Sequence, residues 1–416
     1  MANIRKRGNT YQVDVLEGRT ADGKRIRRTA TFTPEPTMTP KQIEKALNKF
    51  VVNFEEQVKQ GLYQDGKIKF QEYAEHWLET TVKRSNKHRT HITYEDILKK
   101  RIYPVLGHLR LEDIRPAHIK ALLRDWEENA TNAKTGTPLS GKTLNNYFRV
   151  LSSLFSCAVE DGRLNNNPCK NVAAPKFKQK RVEYLQDIHV PIFLEMVDNA
   201  ADDNAVTDFP LAIKILLFSG LRRGELLGLT WSAVDFNKGQ IDISTTSLYA
   251  PDRGIYAETP KTDKSARIVK LPAELISMLE NYRATQKEIA AKYGDKWNNN
   301  AGYIFTQKYG EPLHPDTLTG WLRKRLMRHN AKMKELGETD KILPMVSPHD
   351  LRHTHASLLI SENTNIRTIS SRLGHAAVTT TLNTYSHEIK SAEIAAVELL
   401  ESKYLRKHVQ KTTPPN

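Results

Sequence analysis

The chain has 416 residues, and its 63 lysines and arginines outnumber its 48 aspartates and glutamates, giving a formal net charge of +15 at pH 7. A chain of this length is too long for one ordinary compact core, so two or three domains are expected. The positive charge favours a polyanionic partner, with nucleic acid as the first candidate and an anionic membrane as the second.

The sequence argues against a membrane-bound or secreted protein. No apolar run approaches the roughly 20 residues that span a bilayer. The first eight residues lack the apolar stretch of a secretory signal. Cys157 and Cys169 are too few to crosslink domains of this size, so both are interpreted as structural or incidental in a reducing interior. We therefore expect a cytoplasmic protein without a membrane partner.

The N-terminal part of the chain is predicted to form a small sheet followed by one helix. Tyr11, Val13 and Val15 alternate with polar residues, as in a half-buried strand, and Arg25–Phe32 is a second extended run. Lys41–Gln60 then has helical spacing. The arginines of the strand segment are Arg5, Arg7, Arg19, Arg25, Arg27 and Arg28. A sheet that presents them can lie in a DNA groove, and a solvated charged face is the alternative.

Helical spacing over residues 67–172 predicts an all-helical domain. Helices are expected over Thr93–Ile102, Arg115–Asn129 and Ser140–Asp161. These helices carry basic residues, and Lys142 and Arg149 are candidate DNA contacts.

Residues 183–400 mix helices and strands, and a basic tail follows over residues 401–416. Phe209–Ser219 is predicted to be an apolar helix, and Gln240–Leu271 a strand meander. Helices dominate from Pro315 onward. Four short segments of this domain hold polar residues that would be unusual as mere surface.

The first of these segments places Arg222 and Arg223 at a helix start, directly after the apolar helix. Arg222 and Glu225 are three residues apart, so they share a helix face. A buried carboxylate at that position can orient the guanidinium. An ordinary surface ion pair is the alternative.

The second segment has the signals of a helix N-terminus. Ser347 suits the N-cap, Pro348 the first helical position and Asp350 the third. His349 and Arg352 then project from one side of the first turn, and an arginine with an imidazole at a helix N-terminus suits a phosphate.

The opposite side of the same helix is apolar, so His355 is expected to be a packed core histidine.

The third segment is a Leu-Gly-His sequence that ends at His375, followed by a threonine-rich start of a short helix that bears Tyr385. The fourth, Pro260–Arg267, is predicted to be a turn between two strands that extends a lysine from a hairpin tip.

Together these segments resemble the tyrosine recombinase family, and within it the three-domain integrases of phages and conjugative transposons. The resemblance covers nearly the whole chain. It implies an α+β multidomain fold. The expected parts are a small N-terminal three-stranded sheet plus helix that binds arm sites (1–62), an all-helical core-binding domain (67–172), a mainly helical catalytic domain with a small antiparallel sheet (183–400) and a C-terminal tail (401–416).

The resemblance also implies a catalytic set. Its members are Arg222, Lys261, His349, Arg352, His375 and Tyr385, with Glu225 as a supporting acid. Lys264 stands near enough to Lys261 to remain an alternative for the hairpin lysine.

This set suits a reaction that cleaves DNA through a 3′-phosphotyrosine and frees a 5′ hydroxyl. Arg222, Arg352 and His375 would stabilise the phosphate in the transition state. Ionising the Tyr385 phenol at pH 7 costs about 4 kcal/mol, and His349 is the candidate base. The hairpin lysine would protonate the departing 5′ oxygen. Neither a metal nor another cofactor is expected, because the covalent intermediate keeps the bond energy.

The expected partner is double-stranded DNA with core and arm sites, bound by a homotetramer. An excisionase and DNA-bending proteins are possible assistants, and the expected location is the nucleoid of a bacterial host cell.

Three alternatives stay open on the sequence. A zinc-dependent hydrolase would use His349 and His353, which have the spacing of a zinc-binding helix, although aspartate replaces the usual glutamate and no third ligand is evident. A DNA-binding regulator without catalysis would account for the charge but not for the six-residue set. A topoisomerase would relax DNA by the same chemistry without needing two further DNA-binding domains.

Overall fold

A computed structural model of the chain describes residues 2–19, 23, 25–35, 38–59, 68–133, 135–178, 183–199, 206–258, 266–386 and 401. The chain divides into two compact units, residues 1–179 and residues 180–416. None of the helices in these described ranges is long and apolar enough to cross a bilayer.

The first unit begins with the predicted antiparallel sheet. Its strands are β1 (Asn3–Arg7), β2 (Thr10–Arg19) and β3 (Arg25–Phe32), paired in that order, and α1 (Pro40–Lys59) follows. Val13 and Val15 of β2 are buried in one cluster with Leu47 and Phe54 of α1. The alternation of strand side chains therefore buries one face of the sheet under α1 and leaves the other exposed.

The rest of the first unit is helical, as predicted. The elements are α2 (Phe70–Trp77), a π-helical segment (Leu78–Val82), α3 (Lys83–Ser85), α4 (His88–Ile97), a second π-helical segment (Leu98–Ile102), α5 (Tyr103–Leu106), a 3-10 turn (Leu111–Asp113), α6 (Pro116–Asn129), α7 (Gly141–Glu160) and a 3-10 turn (Pro168–Asn171). Ser140 caps α7 by accepting a hydrogen bond from the Thr143 N–H at 3.2 Å. The helix predicted from Thr93 begins earlier, at His88, because its first turn is polar and adds no apolar periodicity.

The second unit mixes helices with short strands. Its elements are α8 (His189–Asp198), α9 (Phe209–Ser219), α10 (Arg223–Leu227), a 3-10 turn (Trp231–Ala233), β4 (Val234–Asp235), β5 (Gln240–Ile243), β6 (Thr246–Ala250), β7 (Gly254–Glu258), β8 (Arg267–Lys270), α11 (Ala273–Tyr293), a 3-10 turn (Gly294–Lys296), α12 (Pro315–Glu335), a 3-10 turn (Thr339–Lys341), α13 (Asp350–Ser361), α14 (Ile366–Leu373) and α15 (Val378–Thr384). The α9 helix has the predicted bounds, and its apolar circumference places it inside the core.

The strands predicted between Gln240 and Leu271 form two antiparallel sheets rather than one. β4, β5 and β8 make a three-stranded sheet, and β6 pairs with β7 alone. The separate β6–β7 hairpin packs closely on α10. An ideal Cβ at Gly224 of that helix would stand 2.9 Å from the carbonyl oxygen of Ser247, so glycine allows this approach.

Candidate active site

The junction between α9 and α10 orients the first arginine of the site. Arg222 directly precedes α10, and its Nη1 donates to Oε1 of Glu225 at 2.6 Å. Oε2 of the same carboxylate accepts from the Arg222 backbone N–H at 2.9 Å. Glu225 is only 3% exposed, so the pair is not the surface ion pair that the sequence left open. The Arg222 side chain remains 39% exposed and is therefore open to a ligand.

The neighbouring arginine has a different partner. Nη1 of Arg223 donates to Thr319 Oγ1 at 2.7 Å and to Asp316 Oδ1 at 3.1 Å, both on α12. The two adjacent arginines thus have different roles. Arg222 faces the site, whereas Arg223 links α10 to α12 by hydrogen bonds.

Arg267, at the start of β8, is a site residue that no motif in the sequence indicated. Its Nη2 lies 2.8 Å from Oε2 of Glu225, its Nη1 lies 3.2 Å from Oε1, and its Nε donates to the Arg372 carbonyl at 2.7 Å. Burial alone would raise the pKa of Glu225, but Arg267, and then Arg222, lower it overall. The carboxylate therefore stays charged between two guanidinium groups.

Arg352, on the first turn of α13, is the most enclosed cation of the site. Its side chain donates from Nη1 to the Gly220 carbonyl at 2.7 Å and from Nη2 to the Leu373 carbonyl at 2.6 Å. These carbonyls end α9 and α14, where helix dipoles favour a positive charge. Burial lowers the pKa of Arg352 to about 9, which still leaves it charged at neutral pH.

Both of these helices end in a glycine with a left-handed backbone. Gly220 has φ 68° and Gly374 has φ 66°. A Cβ at Gly220 would meet the His355 ring at 2.6 Å, and one at Gly374 would meet Nη1 of Arg267 at 2.9 Å. Glycine suits both helix ends, because each has a left-handed backbone and packs closely against a neighbouring side chain.

His375 follows Gly374 and is held by a buried hydroxyl. Its Nδ1 lies 2.8 Å from Oγ1 of Thr381, which is fully buried on α15. Burial, followed by the charge of Arg352, lowers the pKa of His375 to about 4. The ring is thus neutral at pH 7. If Thr381 donates to Nδ1, the proton sits on Nε2, which can donate to a phosphate oxygen.

Tyr385 lies at the C-terminal end of α15 rather than within the helix, and only 3% of it is exposed. Its Oη is 3.0 Å from Nδ1 of His353 on α13. The sequence predicted His349 as the base beside this phenol, whereas the structure brings His353 to it. His349 packs edge-on against His353, with ring centroids 5.2 Å apart.

The helix that carries His353 and His355 starts later than predicted. Ser347, Pro348 and His349 form a turn, and α13 begins at Asp350. The Asp350 carboxylate accepts from the Ser347 N–H at 2.7 Å, so the acid rather than the serine side chain closes the turn. His355, in contrast, is the packed histidine that was expected. It accepts from Arg372 Nε at 3.0 Å.

Five of the six predicted catalytic side chains lie in one site, with Arg352 at its centre. The groups whose charges act on it include Arg222, Glu225, Arg267 and Tyr385. Burial, and then the charge of Arg352, lowers the pKa of His349 as well as that of His375. The sixth side chain, Lys261, and its alternative, Lys264, lie outside the described residues. Segments far apart in sequence thus form one cationic site beside a tyrosine.

The zinc alternative finds no support in the described part of the chain, where no group of three or more histidine, cysteine, aspartate or glutamate side chains is placed to hold a metal ion. A catalytic zinc site uses three protein ligands. The partner of His353 is instead the Tyr385 hydroxyl.

The predicted DNA-contacting residues of the first unit fall on three surfaces. Arg5, Arg7, Arg25 and Arg27 are exposed on the sheet face opposite α1, which we call the arginine face. Arg28 pairs with the buried Val15 and so projects from the α1 side, away from the other four. Lys142 and Arg149 are exposed on α7, two turns apart on one side.

The chain is similar to known proteins along most of its length. The phage integrase family model matches residues 190–391, and the model of the phage integrase N-terminal SAM-like domain matches residues 69–126. The tyrosine recombinase XerC-like protein of Caldanaerobacter subterraneus subsp. tengcongensis is 27% identical over 412 residues, covering 95% of this chain and 96% of that protein.

Another relative is the transposase from transposon Tn916 of Enterococcus faecalis. It is 29% identical over 315 residues, covering 73% of this chain and 70% of that protein. Among solved structures, the Tn1549 transposon integrase in complex with transposon right end DNA has a similar fold, with a TM-score of 0.61 and 24% identity over 79% of this chain and 98% of that one.

Proposed function

This chain belongs to the phage integrase family of tyrosine recombinases, and we propose how its own residues cut and rejoin DNA. It is a site-specific recombinase that integrates or excises a mobile element. In our proposal Tyr385 is the nucleophile, and Arg222, Arg352, His349 and His375 surround the phosphate that it attacks. The observation that carries the proposal is the single cationic site around Arg352, which includes the tyrosine.

The arrangement suits a phosphodiester because fixed N–H donors are available for the non-bridging oxygens of its phosphate. Arg222 is held by Glu225 yet remains open, so its guanidinium can take a non-bridging oxygen. His375 adds a neutral N–H donor. These donors are oriented before DNA binds, and donors of this kind stabilise the transition state without having to reorganise.

The chemical step exchanges one ester for another. The Oη–P bond forms as the P–O5′ bond breaks, which leaves a 3′-phosphotyrosine and a 5′ hydroxyl. We assign Lys261 as the donor of the proton to the leaving oxygen, with Lys264 as the alternative. A 5′ hydroxyl from another strand then reverses the step, and no ATP is needed because the intermediate keeps the energy of the ester.

We further propose that four copies act together. Each chain supplies one nucleophile, and exchange between two duplexes breaks four strands, so four active sites are required. Double-stranded DNA is the substrate, residues 67–172 bind the core sites and the arginine face binds the arm sites. An excisionase and DNA-bending proteins would set the direction, and the reaction belongs in the bacterial cytoplasm, at the nucleoid.

A suicide substrate tests the function directly. A duplex of the element end, nicked so that the cut fragment diffuses away, should trap the protein covalently at a 3′ phosphate. Mass spectrometry of the digested adduct should place the DNA on the peptide that contains Tyr385. Trapping should also persist in excess EDTA. A zinc hydrolase would instead lose activity in the chelator and leave no adduct, and a non-catalytic regulator would bind without trapping.

Removing charge from the arginine face should weaken arm-site binding selectively. The triple variant Arg5→Gln, Arg7→Gln, Arg27→Gln is expected to reduce the slope of log K against log salt concentration by about 2.7, at about 0.9 for each lost phosphate contact. Binding to arm-site DNA, measured at several salt concentrations, checks this. Cleavage at core sites should not change.

A matched control removes three charges from α1 instead. Lys41, Lys45 and Lys49 are exposed along one side of that helix, and their replacement by glutamine should leave the slope near that of the unaltered protein. Equal salt slopes for the two triple variants would exclude the arginine face as the arm-site reader.

A further inference from the structure

We propose that His353 is the base that takes the phenol proton of Tyr385 during strand cleavage. The proposal rests on the function proposed above and adds a catalytic residue to it, in the role that the sequence analysis gave to His349.

Geometry selects this histidine. The Tyr385 Oη and the His353 Nδ1 are 3.0 Å apart, which is within the reach of direct proton transfer. The tyrosine is 3% exposed, so water has little access to the phenol as a competing acceptor. The two rings also pack together, with centroids 5.6 Å apart.

The chemistry of the pair fits the requirement. A free phenol has a pKa near 10 and needs a partner to lose its proton at neutral pH. A neutral imidazole with its proton on Nε2 presents Nδ1 as an acceptor, and its ordinary pKa lies close to neutral pH.

The charges around His353 favour transfer toward it once DNA is bound. His353 lies against His349 and Tyr385, and its charge acts on His375. Arg352 and Arg222 act in turn on His349 and His375. The two arginines stabilise a phenolate, and a phosphate beside them would offset their repulsion of an imidazolium. His349 and His375 are themselves held neutral, so they add no competing positive charge.

The proton balance of the cycle then closes within the protein. As the Oη–P bond forms and the P–O5′ bond breaks, the phenol proton moves to His353 Nδ1 and the leaving O5′ takes a proton from Lys261. When a new 5′ hydroxyl attacks, it gives its proton to that lysine. The imidazolium returns the other proton to Oη as the tyrosine leaves.

The test combines two changes in the full-length protein. His353→Asn keeps a polar group near the position of Nδ1 but cannot hold a proton, and it should slow single-turnover cleavage of the suicide substrate by about 10²–10⁴-fold, the usual range for a lost general base. A fluorinated tyrosine at position 385, whose phenol ionises near neutral pH, should reduce that loss to less than about tenfold, since little base is then needed.

Two controls separate a base from a positioning role. His349→Asn, combined with the same fluorinated tyrosine, should show no such recovery. A substrate with sulfur in place of the bridging 5′ oxygen needs no acid for its leaving group, so it should restore a Lys261→Met variant but leave His353→Asn slow.

The assignment is wrong if His353→Asn cleaves at the wild-type rate. It is also wrong if the fluorinated tyrosine restores cleavage to His349→Asn but not to His353→Asn, or if the sulfur substrate restores cleavage to His353→Asn. If the unaltered protein forms no adduct at all, the proposed function itself fails. If the unaltered protein forms the adduct and His353→Asn cleaves equally fast, only the assignment of His353 as the base is rejected, and the proposed function stands.

Discussion

Replacing Tyr385 with phenylalanine is expected to eliminate the covalent protein–DNA adduct on a suicide substrate while leaving specific DNA binding intact. The substitution removes the one oxygen that can form the phosphotyrosine, so the loss should reach the detection limit of the assay. The ring can keep its packing, because the aromatic contact with His353 does not involve the hydroxyl. Denaturing gel electrophoresis measures the adduct, and electrophoretic mobility shift measures binding.

The folded state of this variant should be only slightly affected. The substitution removes the hydrogen bond between Oη and His353, and a typical hydrogen bond is worth about 0.5–1.5 kcal/mol. Urea unfolding of both proteins serves as the control. An adduct that persists in the phenylalanine variant would mean that another residue is the nucleophile.

Replacing Arg352 with lysine should have the second largest effect, because a single ammonium cannot replace a planar fork. Arg352 donates to two carbonyls from two nitrogens, and a lysine would leave at least one of these buried acceptors without its donor. We expect cleavage to fall by about 10²–10³-fold, as when one donor to a transition-state oxyanion is lost. Single-turnover cleavage at saturating protein measures this.

The same substitution should destabilise the second unit by about 1–3 kcal/mol, the cost of an unsatisfied buried polar group. Arg223→Lys is the matched control, since Arg223 contacts α12 and lies outside the proposed chemistry. The control should cleave at the wild-type rate. Cleavage by Arg352→Lys within about threefold of wild type would show that the planar guanidinium is not required.

Local patterns in the sequence predicted much of this architecture. The bounds of Phe209–Ser219 were predicted correctly because a mainly apolar run, interrupted only by Lys214, ends at a glycine. Ser140 marked the start of α7 through a cap within one turn. The Arg222–Glu225 pair also followed from spacing alone, because residues three apart on a helix are neighbours.

Contacts between distant segments were beyond this reasoning. Arg267 is 42 residues from its partner Glu225, and no local pattern brings β8 to the start of α10. The choice between His349 and His353 depended on where α13 begins. A start at Pro348 puts His349 on the first turn, whereas the actual start at Asp350 leaves it before the helix. Local sequence patterns therefore could not predict which of the two histidine rings contacts Tyr385, because that contact joins segments that are distant in sequence.

Gly220 and Gly374, whose backbones are left-handed, limit which positions could be varied to direct such an enzyme to new DNA target sites. Randomised libraries that include position 220 or 374 would consist mostly of inactive proteins, because both positions have a left-handed backbone that strains any other residue, and a Cβ there would also press on His355 or Arg267. Diversity is better placed on the exposed strands of the first unit, where exposed side chains can change without disturbing a core. Variants that recognise a new DNA target site can then be selected while the active-site residues stay unchanged.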